Sequence, residues 1–235
     1  INFKLTSKGT DPLQSIYRSL LRIRRVEEEI IRIYPSDKVK SPVHLSIGQE
    51  SVSVGVCASL RADDIVFGTY RGHALYLAKG GDLNLMMAEL FGKQGGGSNG
   101  KGGSMHLADT PAGMMGTTAI VATNIPLAVG YAMAAKMQRR DIVVVAFFGE
   151  GAMDEGVFHE SANFAALKGL PVLFVCENNL YAIYSHILDR MPDANLCQRA
   201  QSYHIPAERV ENGDIHAIME RSKAAVERIR AGGGP

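Results

Sequence analysis

From Ile142 to Phe148 the chain is uninterruptedly apolar, stops at Gly149, and after an amphipathic segment of helical length, Val157 to Lys168, runs through a second apolar stretch, Pro171 to Cys176. Strand, helix and strand in this order form a βαβ unit with its two strands parallel. Upstream, Leu13, Ile16, Tyr17, Leu20, Ile23, Val26 and Ile30 recur at helical spacing behind Asp11-Pro12, a cap followed by a first-turn proline, and Pro35-Ser36-Asp37 ends that helix. Its mixed charges, Arg22, Arg24, Arg25 and Glu27 to Glu29, read as a solvated face. Further helices are expected over Gln49–Leu60, Ala74–Ala78 and Leu83–Phe91, and a short strand over Ile65–Phe67. A last helix should run from Ile215 to Arg230 behind the cap Asp214, with Ile215, Ile218, Met219, Ala225, Val226 and Ile229 packing. Helices alternating with strands predict an α/β fold, a parallel sheet covered by helices on both faces. The expected organisation is a helical extension over residues 1–40 and one α/β domain over 41–235.

Parallel sheets of this kind collect ligands outside the carboxyl ends of their strands. Gly149-Glu150-Gly151 lies past one such end and Asn178-Asn179 past the next, with 26 residues between Gly151 and Asn178. Glu150 offers a carboxylate oxygen, Asn179 an amide oxygen, and the turn after it a backbone carbonyl, which suits the oxygen-rich shell of a magnesium ion on a diphosphate. Gly149, Gly151 and Ala152 are small enough to let backbone approach phosphate, and the helix that follows can aim its amino terminus at the charge. A plain tight turn remains an alternative. A dinucleotide fingerprint does not fit, because Asp154 stands where its third glycine belongs and the next glycine is Gly156.

Two other motifs do not fit their patterns. Gly95, Gly100 and Lys101 satisfy G-x-x-x-x-G-K, but Gly102 replaces the required Ser or Thr and no buried strand leads into the loop. The six glycines between Gln94 and Gly103 are left as a flexible loop or one that closes over a site. His159-Glu160 opens H-E-x-x-H, yet position 163 is Asn163. His73 and His106 each either satisfy a buried carbonyl or reach cofactor or substrate.

Composition narrows the classes. At 235 residues, 46% hydrophobic and 21% charged, the chain can bury one substantial core. A net charge of +1, without a basic run carrying aromatics, argues against nucleic acid or membrane as partner. Cys57, Cys176 and Cys197 are widely spaced and form neither a disulfide framework nor a zinc pattern, which points to a reducing compartment, the cytoplasm or, in a eukaryote, the mitochondrial matrix.

Six motifs in order carry a resemblance: His44-Leu45-Ser46-Ile47-Gly48-Gln49-Glu50, Thr69 to His73, Gly100 to His106, Ile125 to Gly130, Gly149 to Gly156, and Glu177-Asn178-Asn179-Leu180-Tyr181-Ala182-Ile183. The stretch from His44 to Tyr181 resembles the alpha subunit of the thiamine diphosphate-dependent 2-oxo acid dehydrogenases, the first component of the pyruvate, branched-chain 2-oxo acid and acetoin complexes. The resemblance implies the diphosphate-binding half of the thiamine diphosphate fold, with thiamine diphosphate and Mg2+ as cofactors. It implies that Tyr70 and Arg71 contact the diphosphate, that Glu150, Asn179 and the carbonyl of Tyr181 hold the metal, and that Gly151 and Ala152 line the cofactor. Val121 would support the aminopyrimidine, and His44, with His73, would work near the reacting carbon. The commonest family motif has Asp where this chain has Glu150, whose extra methylene moves the carboxylate out by about 1.5 Å. Glu150 and Ala122-Thr123-Asn124-Ile125-Pro126 are similar to branched-chain members, whereas His44 to Glu50 and Tyr70 to His73 are closer to the acetoin and pyruvate groups.

The implied reaction is decarboxylation of a 2-oxo acid, or cleavage of acetoin, with the acyl group passed to a lipoyl carrier. The activating carboxylate would come from a beta-type subunit in a heterotetramer of two alpha and two beta chains, with Gly48-Gln49-Glu50 and the helix after it near the contact and a lipoyl acyltransferase as a further partner. The resemblance thins after Ile183. Tyr184 to Arg199 replaces a loop that carries regulatory serines in some relatives, and only Ser185 is present there. Family members continue past Pro235 into a strand and a histidine-bearing loop, so the domain is expected to be truncated at its C-terminal end. A transketolase-type ketol or acyl transferase and a non-catalytic subunit that keeps the fold are the alternatives.

Overall fold

The computed structural model describes residues 12–235. The proposed cap Asp11 lies outside them, and α1 (Pro12–Ile33) begins directly at the proline. Next come α2 (Glu50–Cys57), β1 (Ile65–Thr69), α3 (His73–Ala78) and α4 (Leu83–Leu90). Asp82 caps α4 by accepting from the Asn84 and Leu85 N–H groups. β2 (Met114–Thr118) and α5 (Asn124–Met137) lead into β3 (Val144–Gly149), a 3₁₀ turn (Glu150–Asp154) and α6 (Gly156–Lys168). Gly169, at φ +53, ends α6 and turns the chain into β4 (Val172–Glu177). A small hairpin, β5 (Tyr181–Ala182) with β6 (Ser185–His186), is followed by α7 (Ile187–Arg190), α8 (Leu196–Gln201) and α9 (Ile215–Arg230), which Asp214 caps as expected.

The four long strands are parallel and ordered β2-β1-β3-β4. Alternation along β3 builds two cores. Val143, Val145 and Phe147 pack with α1, α2, α3 and α9, while Val144, Ala146 and Phe148 pack with α5 and α6 on the other face. The predicted doubly covered α/β sheet is therefore present. α1 sends Ile16, Ile23 and Ile30 into the first core, where it packs against α2 and α3.

Three expectations change. The sequence pattern predicted neither β2 nor α5. Met114-Met115-Gly116-Thr117-Thr118 has no clean alternation, and α5 is apolar on nearly every side, with Leu127 and Met137 exposed. The α1 charges are not one solvated face. Glu27 is fully buried, and Arg24 donates to the buried Glu50 at 2.6 Å. The glycine-rich loop is tied down by Glu89 of α4, whose carboxylate accepts from the N–H groups of Ser98, Gly100, Gly102 and Gly103 at 2.6–3.1 Å.

β2, which the sequence pattern does not show, sets the topology of the sheet. The chain passes from β1 outward to β2, then returns to β3 on the opposite side of β1. That reversal opens a crevice at the carboxyl ends of β1 and β3.

Candidate active site

A cleft of about 670 Å³ occupies the crevice. Tyr70 and Arg71 reach it from the end of β1, Glu150, Gly151 and Ala152 from the end of β3, and Asn179 and Tyr181 from the end of β4. His44 enters from the loop before α2, and Val121 from the loop before α5. Nine of the ten residues to which the resemblance assigns a site role thus border one cavity, although they come from five separate segments. His73 is the exception. It is wholly buried, with Nδ1 donating to Glu27 Oε2 at 2.9 Å and Nε2 meeting Ser104 Oγ at 2.7 Å. Both ring nitrogens are used between helices, so His73 is not brought to the cleft, and His106 is exposed elsewhere.

The His44 ring lies 4.5 Å from that of Tyr70, tilted at 56°, and its Nδ1 is buried without a partner. Burial first, then the Arg71 charge and a smaller contribution from His73, lower its pKa from the usual imidazole value and so favour the neutral ring. Arg71 is anchored by donating to the Leu45 carbonyl, next to His44. Strain gathers at the cleft, where Ala122 and Ile183 of its wall, and Leu180 between the wall residues Asn179 and Tyr181, adopt φ of +66, +57 and +71 without being glycine. Gly151 is required sterically, because a β-carbon there would stand 2.8 Å from Ala182 Cβ.

Several cleft residues were not singled out as ligands. Asn124 at the start of α5 donates to the Phe147 carbonyl, and its Oδ1 is buried without a partner. Glu177, closing β4, has its carboxyl pushed up to about 7 by burial, against the opposing pull of Arg71. Gln49 also lines the wall, while its neighbour Glu50 turns inward to Arg24 and the Gly48 N–H. Arg190 donates to Glu150 Oε1 at 2.8 Å and also pairs with Asp154. Its partner is 40 residues away in sequence, so no local pattern points to it.

The donor set fits a magnesium diphosphate. Glu150 and Asn179 supply hard oxygen atoms, Arg71 a cation for phosphate, and Gly149 open space above the backbone. Asn179 Oδ1 accepts the Tyr181 N–H at 3.0 Å, which leaves it a second lone pair. Among the described residues no group of three or more His, Cys, Asp or Glu side chains is placed around a common metal position, so a metal here would take most of its shell from phosphate, carbonyl and water.

Residues 18–235 match the family described as dehydrogenase E1 component. The chain belongs to that family. This E1 component chain is 43% identical over 220 residues to the alpha subunit of acetoin:2,6-dichlorophenolindophenol oxidoreductase from Bacillus subtilis, covering 94% of the chain and 66% of that relative. It is 39% identical over 219 residues to the pyruvate dehydrogenase E1 component subunit alpha of Rhizobium meliloti, covering 93% of the chain and 63% of the relative. The chain thus spans about two thirds of the length of these relatives. A solved structure from Mycobacterium smegmatis, provisionally described as a thiamin diphosphate-dependent enzyme, superposes with a TM-score of 0.53 at 18% identity, covering 78% of this chain and 31% of that one, and shares the fold. Among the described residues no helix is long and apolar enough to cross a membrane.

Proposed function

We propose that this chain is the diphosphate-binding alpha part of a thiamine diphosphate- and Mg2+-dependent E1 enzyme that decarboxylates a 2-oxo acid or cleaves acetoin and passes the acyl group to a lipoyl carrier. The observation that carries the reading is the convergence of Tyr70-Arg71, Glu150 and Asn179–Tyr181 on one cleft at the strand-order reversal. When bound, thiamine diphosphate supplies a ring that stabilises the carbanion left by CO2 loss. The chain's own residues anchor and orient. Glu150, Asn179 and the Tyr181 carbonyl hold the metal, Tyr70 and Arg71 take the diphosphate, Val121 supports the aminopyrimidine, and neutral His44 exchanges a proton near the reacting carbon.

A beta-type subunit completes the site. The supporting observation is the apolar outer surface of α5 and α6, where Leu127, Met137, Phe164 and Leu167 are exposed. Calorimetric titration with thiamine diphosphate in the presence and absence of Mg2+ tests the cofactor reading, and metal-dependent binding is expected. Assay of the reconstituted pair with pyruvate, branched 2-oxo acids and acetoin, with lipoamide as acceptor, tests the reaction. Transfer only to aldehydes would sink it.

A further inference from the structure

The carboxylate best placed for a metal already holds a cation of the protein's own. Arg190 donates from Nη2 to Glu150 Oε1 at 2.8 Å, its other terminal nitrogen reaches Asp154, and its Nε is buried without a partner. Glu150 is 1% exposed, so its charge without a counter-ion would be strongly destabilising. Resting on the functional reading above, we propose that Arg190 is a built-in counter-ion of Glu150 that competes with the divalent metal, so that Mg2+ alone is held off and binds only together with the diphosphate.

The geometry supplies the parts of such an exchange. A guanidinium and a dication cannot share one buried carboxylate without strong repulsion, so metal entry requires Arg190 to leave Glu150. The backbone around Arg190 is held, because Ile187 at the start of α7 and Met191 just after it are 1% and 2% exposed, so the exchange falls to the side chain. The side chain has somewhere to go. Asp154 is partly exposed, already binds Arg190, and also accepts from Arg199 at 3.2 Å, so it can keep the guanidinium at the rim of the cleft. Mg2+ alone must displace Arg190 using the charge of Glu150 only. Mg2+ with a diphosphate adds phosphate oxygens to its shell and shifts the balance towards the released state. The apparent metal affinity is therefore lowered by the small fraction of chains in which Glu150 is free.

The test is calorimetric titration of the full-length protein reconstituted with its beta-type subunit, first with MgCl2 alone and then with MgCl2 plus thiamine diphosphate, for wild type, Arg190→Gln and Arg190→Lys, each checked for native melting. Arg190→Gln should bind Mg2+ alone at least about tenfold more tightly than wild type, because the competitor is gone. Arg190→Lys keeps the charge but not the two-pronged contact and should fall between them, and it serves alone if the Gln variant does not fold. Mg2+ affinity equal to or weaker than wild type in the folded variants overturns the proposal. If wild type binds the Mg2+ and thiamine diphosphate pair normally in that case, only the counter-ion role falls. If no form binds the pair, the functional reading falls with it.

Discussion

Glu27 of α1 and His73 of α3 form a fully buried pair, Oε2 to Nδ1 at 2.9 Å, and the other Glu27 oxygen accepts the Ser46 N–H at 2.8 Å. The pair ties two helices to the loop that carries His44. Glu27→Ala would leave a buried imidazole and a buried amide unpartnered and should cost about 3 kcal/mol or more. Glu27→Gln keeps an acceptor and should cost less. Urea denaturation of the two variants checks the order.

Glu89 does for the glycine-rich loop what Glu27 does for α1. Burial pushes its carboxyl up, but the N–H groups of Ser98, Gly100, Gly102 and Gly103 together outweigh that and hold its pKa below the usual 4.5. A carboxyl depressed in the folded state adds stability that is present above the unfolded pKa and lost as pH falls through the folded one. Acid should therefore loosen the loop below about pH 4.5. Glu89→Gln should open the 93–102 segment to limited proteolysis at neutral pH while the sheet core stays protected.

At the cleft, Glu150→Gln or Asn179→Ala should weaken Mg2+-dependent thiamine diphosphate binding at least tenfold, about 1.4 kcal/mol. Arg71→Ala should weaken the diphosphate without changing which divalent metal is preferred, because its role is charge on phosphate. Titration with Mg2+, Mn2+ and Ca2+ separates the two effects. Unchanged affinity in both metal-ligand variants would remove the metal assignment.

Glu177 predicts a pH dependence of opposite sign to Glu89. Burial raises its folded pKa to about 7 from an ordinary 4.5. Between those values the unfolded chain gives up its proton while the folded one keeps it, so this group's contribution to stability is full below about pH 4.5 and declines as pH rises through about 7. Melting temperatures of wild type and Glu177→Gln from pH 4 to 8 should diverge across that window, with the Gln variant gaining relative stability as pH rises.

Local pattern alone determined the elements whose burial alternates or spirals cleanly. Alternate β3 residues enter two cores and α9 begins at its Asp214 cap, so strand and helix were readable there. The motifs past β1, β3 and β4 also named the residues that meet at the cleft, because parallel strands place such ends on one edge. What only the tertiary structure decided rests on partners remote in sequence. His73 became a structural residue because Glu27, 46 positions away, and Ser104 occupy both its nitrogens. Arg190 entered the site because Glu150 and Asp154 draw it in across α6 and β4. β2 and α5 were hidden because β2 is a half-buried edge strand with no clean alternation and α5 carries apolar residues such as Leu127 and Met137 on its exposed face as well as its buried one, so neither shows an apolar–polar period.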